Sequence, residues 1–360
     1  MKKIFISDCE GPISKNDNAF EITSHFVPNG NKLFTLISRY DDALADVVKK
    51  QGYKAGDTLK LVLPFLKAYG VTDQAMRDFS TRNLILISGA KDALQYVRSV
   101  AEAFIVSTSY EHYMKALCRA IDFPFENVYC TRFSINKYDI AENEKTELKQ
   151  IAQEIARMPM FEIPQNVKSL KGLPQEAQKT IRRLDEFFWE RITSMESSRI
   201  YSEVTPVGGS QKAMAIEDIA HKVGTTLADV MYVGDSITDE EAFRLVKKNG
   251  GLTVSFNGNQ YAVENADIAV LSENSLATAI IADAFLRFGK QETLRLAENW
   301  SRQTLEKSPV SKQLLNRFFQ LHPKELPKVK IITSKNKEEL AKESSEFRKK
   351  VRGEAVGRLG

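Results

Sequence analysis

The chain has 360 residues, with 51 Lys+Arg against 47 Asp+Glu and a formal net charge of +4. Ten of the basic and five of the acidic residues fall in 328–360, so the remaining 327 carry 41 basic against 42 acidic groups. With no basic stripe interleaved with aromatics in that body, nucleic-acid binding is disfavoured, and the length allows about two domains or one elaborated core with large insertions. Cys9, Cys118 and Cys130 show neither a disulfide framework nor metal-ligand spacing, and read as small buried residues of a reducing compartment. The opening KKIFIS is too short for a signal-peptide core or a membrane span, so the expectation is a soluble, cytoplasmic protein with no membrane span.

In chain order, the first apolar run is IFIS (4–7), followed at once by Asp8, Glu10, Gly11 and Pro12. Similar runs recur at AFIVS (103–107), NVYCT (127–131), VMYVG (230–234), LTVSF (252–256) and DIAVLS (267–272). Short and without polar alternation, they fit strands buried on both faces. Helical patterns stand between them, at AKDALQYVRSVAE (90–102), YEHYMKALCRAI (110–121) and QKAMAIEDIAHKVG (211–224). Strands alternating with helices predict an α/β fold built on a doubly wound parallel sheet.

Two stretches stand outside that alternation. Residues 14–85 carry amphipathic patterns broken by Pro28, Gly30, Gly52, Gly56 and Pro64, and read as a small helical domain inserted after the first strand. Residues 137–199 hold two long helical patterns joined by the connector EIPQNVKSLKGLP, a second helical insertion. The α/β core is thereby assigned to 1–13, 86–136 and 200–272, followed by a helical extension over 273–327 and a charged tail over 328–360. The tail has few apolar anchors and is expected to be a solvated helix or a frayed end. It and the second insertion are the candidate surfaces for a protein partner.

Four strand ends carry polar groups suited to phosphoryl chemistry, and in an open α/β sheet such ends line one crevice. Asp8 is placed to act as a nucleophile and Glu10 as a general acid and base, although DxE at a strand end also fits a turn or helix cap. Ser107 and Thr108 lead into a helical pattern, where hydroxyls and free N–H groups bind an anion or merely cap the helix. Lys212 follows the glycine-rich PVGGSQ, either neutralising phosphoryl oxygens or standing solvated in a helix's first turn. In VMYVGDSITDEEAF, Asp235 and Asp239 follow a buried strand. With Asp8 they offer hard oxygen ligands suited to Mg²⁺, while an N-capped helix with an acidic first turn accounts for either aspartate alone. His112, in the helical pattern after the second run, reads as a structural histidine, with contact to substrate as the alternative.

These four elements, in this order, resemble the haloacid dehalogenase superfamily of phosphohydrolases. The resemblance covers the core segments. It implies Asp8 as nucleophile, Glu10 as acid and base, Ser107 and Thr108 as substrate-binding residues, and Lys212 as the balancing charge. Asp8, Asp235, Asp239 and the backbone carbonyl of Glu10 would make the Mg²⁺ site. Members usually carry aspartate where Glu10 stands, and threonine or valine where Pro12 stands.

The DxEG start, the cap after it and IVSTSYEHY (105–113) are similar to a phosphoserine phosphatase-like branch. In that branch an acidic residue nine positions after the nucleophile contacts the substrate ammonium; here that offset holds Asp17, which equally fits a polar turn before a helix. The insertion over 137–199 departs from that branch. The opening DCEGPISKNDNAFE also resembles archaeal sequences labelled as a subunit of an energy-converting hydrogenase, which implies an assembly partner, but no iron–sulfur cysteine spacing accompanies it. The implied activity is a Mg²⁺-dependent phosphatase of a small phosphorylated metabolite working through an aspartyl-phosphate on Asp8. The alternatives are a structural or regulatory subunit on the same fold, or a phosphotransferase to an alcohol.

Overall fold

Strand β1 (Ile4–Ser7) sends its side chains alternately to two apolar layers: Ile4 and Ile6 join Phe104 and Val106, whereas Phe5 joins Ile105. A strand that is apolar on both faces must lie inside a sheet covered on both sides. In the computed structural model, which describes residues 2–164, 167 and 169–359, that is where β1 lies. Residues 165, 166 and 168 of the expected connector fall outside the described residues.

Five further parallel strands follow: β2 (Glu102–Tyr110), β3 (Val128–Thr131), β4 (Val230–Gly234), β5 (Leu252–Phe256) and β6 (Ile268–Leu271). The order across the sheet is β3-β2-β1-β4-β5-β6-β7, with β7 (Lys328–Ile331) antiparallel to β6 at the edge. The fold is the expected α/β, doubly wound parallel sheet, widened by one antiparallel strand. One face is covered by the helices Ala90–Val100, Glu111–Ile121 and Leu276–Phe288, the other by Ser210–Val223 and Glu240–Lys248. Each fully buried Ile or Phe in these layers, such as Ile216 and Phe243, contributes about 1.5–3 kcal/mol over an exposed one. From β1 the chain builds outward on both sides, so β1 and β4 flank the point where strand order reverses, and a crevice opens at their carboxyl ends.

Over that crevice sits a helical layer. Its helices Asn18–Phe26, Gly30–Asp42 and Asp73–Asn83 come from the first inserted stretch, and Glu142–Arg157 and Gln175–Asp185 come from the second. Leu33, Ile37 and Phe65 share one apolar cluster with Leu148, Ile151 and Phe188, and Tyr40 stacks on Phe188 with ring centroids 5.6 Å apart. The two stretches, read separately in the sequence, therefore pack as one cap. Chain crossings between core and cap are tied by main-chain bonds from Lys15 N–H to the Ile85 carbonyl, 2.8 Å, and from Ile87 N–H to the Ile13 carbonyl, 2.9 Å.

Residues 328–359 overturn the expectation of a solvated or frayed tail. Besides β7, the helix Lys337–Arg352 buries Leu340, Ala341, Ser344, Arg348 and Val351. Few apolar anchors suffice because polar side chains go inward with partners: Ser344 Oγ donates to the Gly258 carbonyl at 2.7 Å, and Arg348 is held by a carboxylate. Leu359 joins the apolar cluster of the cap, and Arg39 of the cap donates to the Arg358 carbonyl at 3.2 Å. This segment thus runs from the sheet edge to the cap.

Candidate active site

Asp8 leaves β1 where Ser7 is paired with Val233 of β4, and its N–H donates to the Val233 carbonyl at 2.8 Å, so it emerges beside the turn that carries Asp235. Two glycines let the loops close on each other. Gly11 has φ +104°, and a Cβ there would lie 2.0 Å from Asp235 Oδ2; a Cβ on Gly234 would lie 2.5 Å from Asp239 Cγ. One carboxylate oxygen from each of Asp8, Asp235 and Asp239 can be chosen so that all lie within 4.8 Å of one another.

Lys212 enters this cluster from the first turn of the helix Ser210–Val223 and is fully buried. Its Nζ donates to Asp8 Oδ2 and to Asp239 Oδ1, each at 2.7 Å. Asp239 is further held by the Tyr232 hydroxyl at 2.5 Å and by the N–H groups of Asp235 and Ser236 at 2.9 and 3.0 Å. It therefore also forms a capping box with Ser236, so the capping and the charged readings both apply to it. Asp235 makes no such cap. Its Oδ2 accepts from Arg348 Nη1, and from Arg352 Nη1 at 3.1 Å.

Burial governs the protonation of this cluster. It lifts the Asp8 carboxyl to about 7, with the Lys212 ammonium opposing the lift and Asp239 and Asp235 adding to it. Burial acts on Asp239 in the same sense, but Lys212, the Tyr232 hydroxyl and the main-chain donors outweigh it and hold that carboxyl below its usual range. Burial disfavours the charge on Lys212, yet Asp239 and Asp8 more than restore it, so the ammonium stays charged. The set is all carboxylate oxygen and close-grouped, and Asp235 and Asp8 fit a magnesium-type cation, with Asp239 shared between Lys212 and that site.

Glu10 lies outside this triad. Its Oε1 accepts the Asn18 N–H at 2.8 Å at the start of the helix Asn18–Phe26, and burial, then Asp17, push its carboxyl well above the usual range. Asp17 caps the same helix, accepting the Phe20 N–H at 3.0 Å, and lines the cleft as well. Ser107 and Thr108 stand elsewhere than expected locally: β2 continues to Tyr110, so they lie in a strand, with an irregular register between Val106 and Tyr110, and they do not cap a helix. The buried Ser107 hydroxyl accepts the Ser109 N–H at 3.3 Å, and Thr108 Oγ1 donates to the Val207 carbonyl at 3.0 Å. Both line the cleft with Asp8 and Glu10. His112 is absent from that lining; its Nε2 pairs with Asp73 at 2.9 Å, joining core to cap. The three cysteines are buried and unpaired.

Arg348 and Arg352 also line the cleft, and the sequence reading missed both. Their spacing of four on one helix was the available signal, hidden among neighbouring lysines and glutamates. The cap closes the other side through residues including Phe34, Asp41 and Leu59, leaving about 80 Å³ of space, room for several waters or one compact group.

A model of the haloacid dehalogenase-like hydrolase family matches residues 89–284. The chain belongs to that family. Over its whole length this haloacid dehalogenase-like protein is similar to the solved structure of a gene product from Archaeoglobus fulgidus, at 26% identity, covering 100% of this chain and 99% of that one with a TM-score of 0.82. A substrate-bound phosphoserine phosphatase is matched at 14% identity over 76% of this chain and 95% of that one, with a TM-score of 0.45. Comparison with curated proteins gives no match. The helix with Arg348 and Arg352 lies beyond the segment that the family model matches. Among the described residues, no helix is long and apolar enough to cross a membrane.

Proposed function

We propose that this haloacid dehalogenase-like protein is a Mg²⁺-dependent phosphatase of a small phosphorylated metabolite, acting through an aspartyl-phosphate on Asp8. The observation that carries the reading is the buried Lys212 ammonium shared at 2.7 Å by Asp8 and Asp239. One fully buried cation between two carboxylates, at the carboxyl ends of neighbouring strands, is an expensive arrangement for stability alone and suits a site where negative charge converges during reaction.

In the first step an oxygen of Asp8 attacks phosphorus while the bond from phosphorus to the ester oxygen breaks, and the leaving oxygen takes the proton of the Glu10 carboxyl. In the second, Glu10 takes a proton from water as the water oxygen attacks phosphorus, breaking the bond to Asp8 and releasing inorganic phosphate. Burial raises the Glu10 carboxyl well above its usual range and so favours its protonated form, which supports its role as the acid. Lys212 offsets the repulsion between Asp8 and the phosphoryl oxygens, and Ser107 and Thr108, which line the cleft with Asp8, would receive those oxygens. Mg²⁺, held by Asp8, Asp235, Asp239 and the Glu10 carbonyl, would supply further neutralisation. The cap roofs the cleft, which favours a small substrate and excludes bulk water.

The test is phosphate release from p-nitrophenyl phosphate and a panel of phosphorylated metabolites, with Mg²⁺ and with EDTA, for wild type and Asp8→Asn. Mg²⁺-dependent release lost in Asp8→Asn is expected. No release above the Asp8→Asn background on any compound would overturn the reading.

A further inference from the structure

Both arginines of the C-terminal helix reach the same atom. Arg348 Nη1 and Arg352 Nη1 donate to Asp235 Oδ2, the second at 3.1 Å, and the two side chains are nearly inaccessible, at 3% and 4% exposure. Main chain fixes each of them as well. Arg352 donates through Nε to the Lys15 carbonyl at 3.0 Å and through Nη2 to that of Asn16, and Arg348 donates to the carbonyls of Asp235 at 3.1 Å and Leu359 at 3.2 Å. Gly11 packs against the same oxygen, since a Cβ there would lie 2.0 Å from Asp235 Oδ2.

The oxygens of the carboxylate triad are therefore unequal. Asp8 Oδ1 accepts the Cys9 N–H at 2.6 Å, and its Oδ2 accepts the Lys212 ammonium. Asp239 takes Lys212 and the Tyr232 hydroxyl on Oδ1 and the N–H groups of Asp235 and Ser236 on Oδ2. Asp235 lines the cleft, and among the described residues no hydrogen bond ends on its Oδ1.

We propose that Arg348 and Arg352 determine which metal the site takes: by capping Asp235 Oδ2 they restrict Asp235 to one ligand oxygen, Oδ1, and so favour Mg²⁺ over Ca²⁺. The inference rests on the Mg²⁺-dependent phosphatase reading and deepens it at the cation site. Both arginines touch the ligand and not the cation, so they act as positioning residues.

The chemistry of the two ions carries the distinction. Mg²⁺ is small, demands an octahedron of oxygens and keeps several waters, so one oxygen from each carboxylate suits it. Ca²⁺ takes about six to eight oxygens at longer distances and readily uses both oxygens of one carboxylate. A carboxylate with one oxygen closed off by two guanidiniums meets the first demand and refuses the second. To bind through both oxygens, Asp235 would have to give up buried, charged hydrogen bonds and leave two guanidiniums short of their anion. Charge alone does not discriminate, because the guanidiniums repel both dications alike.

The test is calorimetric titration of the metal-free, full-length protein with MgCl₂ and with CaCl₂. It gives the ratio of the two binding constants for wild type, Arg348→Met, Arg352→Met, Arg348→Lys and the double variant Arg348→Met/Arg352→Met, with thermal melts to establish which are folded. Wild type is expected to prefer Mg²⁺ by about tenfold. The preference falls in each methionine variant and furthest in the double one, whereas Arg348→Lys, which still offers an ammonium to Oδ2, keeps most of it. Lost positive charge raises both constants together and lost packing lowers both, so neither moves the ratio. If the double variant does not fold, the single variants decide. Equal affinities or a preference for Ca²⁺ in wild type, or a ratio unchanged in both Arg348→Met and Arg352→Met, overturns the proposal, while the phosphatase reading stands on Mg²⁺-dependent release from p-nitrophenyl phosphate. If neither ion binds, the metal site fails and this proposal with it.

Discussion

Arg352 and Asp235, separated by 117 residues of sequence, are joined through Nη1 and Oδ2 at 3.1 Å. The same guanidinium holds the carbonyls of Lys15 and Asn16, where the chain leaves the core for the cap. One side chain from the C-terminal helix thereby binds the β4 turn to the cap crossing. Arg348 still meets Asp235 Oδ2 when Arg352 is removed, so the cost is that of the lost charged hydrogen bonds, about 1.5–3 kcal/mol. Arg352→Met is expected to lose stability on that scale in urea titrations, and Arg352→Lys to lose less because a charge is kept. Equal stability of Arg352→Met and wild type would show that the pair holds nothing.

Gly11 offers a backbone test of how closely the two loops meet. Its φ of +104° and the 2.0 Å approach of a Cβ to Asp235 Oδ2 leave no room for a side chain. Gly11→Ala is expected to lose at least about 1–3 kcal/mol from strain alone, and most phosphatase activity through displacement of Asp235. Melting temperature and rate together check this; a neutral Gly11→Ala would mean that the loops do not sit so close.

The cap has a pH dependence of its own. Asp42 is buried; burial and then Asp41 lift its carboxyl to about 7, with Arg39 at 3.8 Å opposing the lift. A carboxyl whose folded pKa exceeds its unfolded value of about 4 binds a proton on folding. Its contribution is therefore complete in acid below that value and is lost as pH rises through about 7. Asp42→Asn, which cannot titrate, is expected to lose less melting temperature than wild type between about pH 5 and about pH 8. Parallel curves for the two proteins would contradict this.

Glu10→Gln tests the division of labour between the two acids of DCEG. Loss of a positioned acid and base costs roughly 10²–10⁴-fold in rate. With a good leaving group such as p-nitrophenolate the first step needs little acid help, so Glu10→Gln is expected to slow the second step most and show a burst of p-nitrophenolate in rapid-mixing kinetics. Normal turnover by Glu10→Gln would remove Glu10 from the chemistry.

Much of the sheet was legible because parallel strands buried on both faces leave unbroken apolar runs, as at IFIS and VMYVG. The convergence of Asp8, Lys212, Asp235 and Asp239 was legible for a topological reason, since strand ends of such a sheet share one crevice. Ser107 and Thr108 were read as a helix start because nothing local in VSTSY shows that the strand continues to Tyr110. The edge strand Lys328–Ile331 was hidden by its lysines, which suit an exposed edge and look like tail composition. Arg348 and Arg352 were hidden for a related reason: in a helix rich in Lys and Glu, a buried arginine is identical in sequence to a solvated one, and only its carboxylate partner, far off in the chain, tells them apart.

The central claim is that Asp8 carries the phosphoryl group. The direct measurement is mass spectrometry of peptides from acid-quenched protein after brief mixing with p-nitrophenyl phosphate and Mg²⁺, for wild type, Glu10→Gln and Asp8→Asn. The account expects a phosphoryl adduct on Asp8, accumulating most in Glu10→Gln and missing from Asp8→Asn. Phosphate release without an adduct on Asp8 in any variant, or with turnover retained in Asp8→Asn, would contradict it.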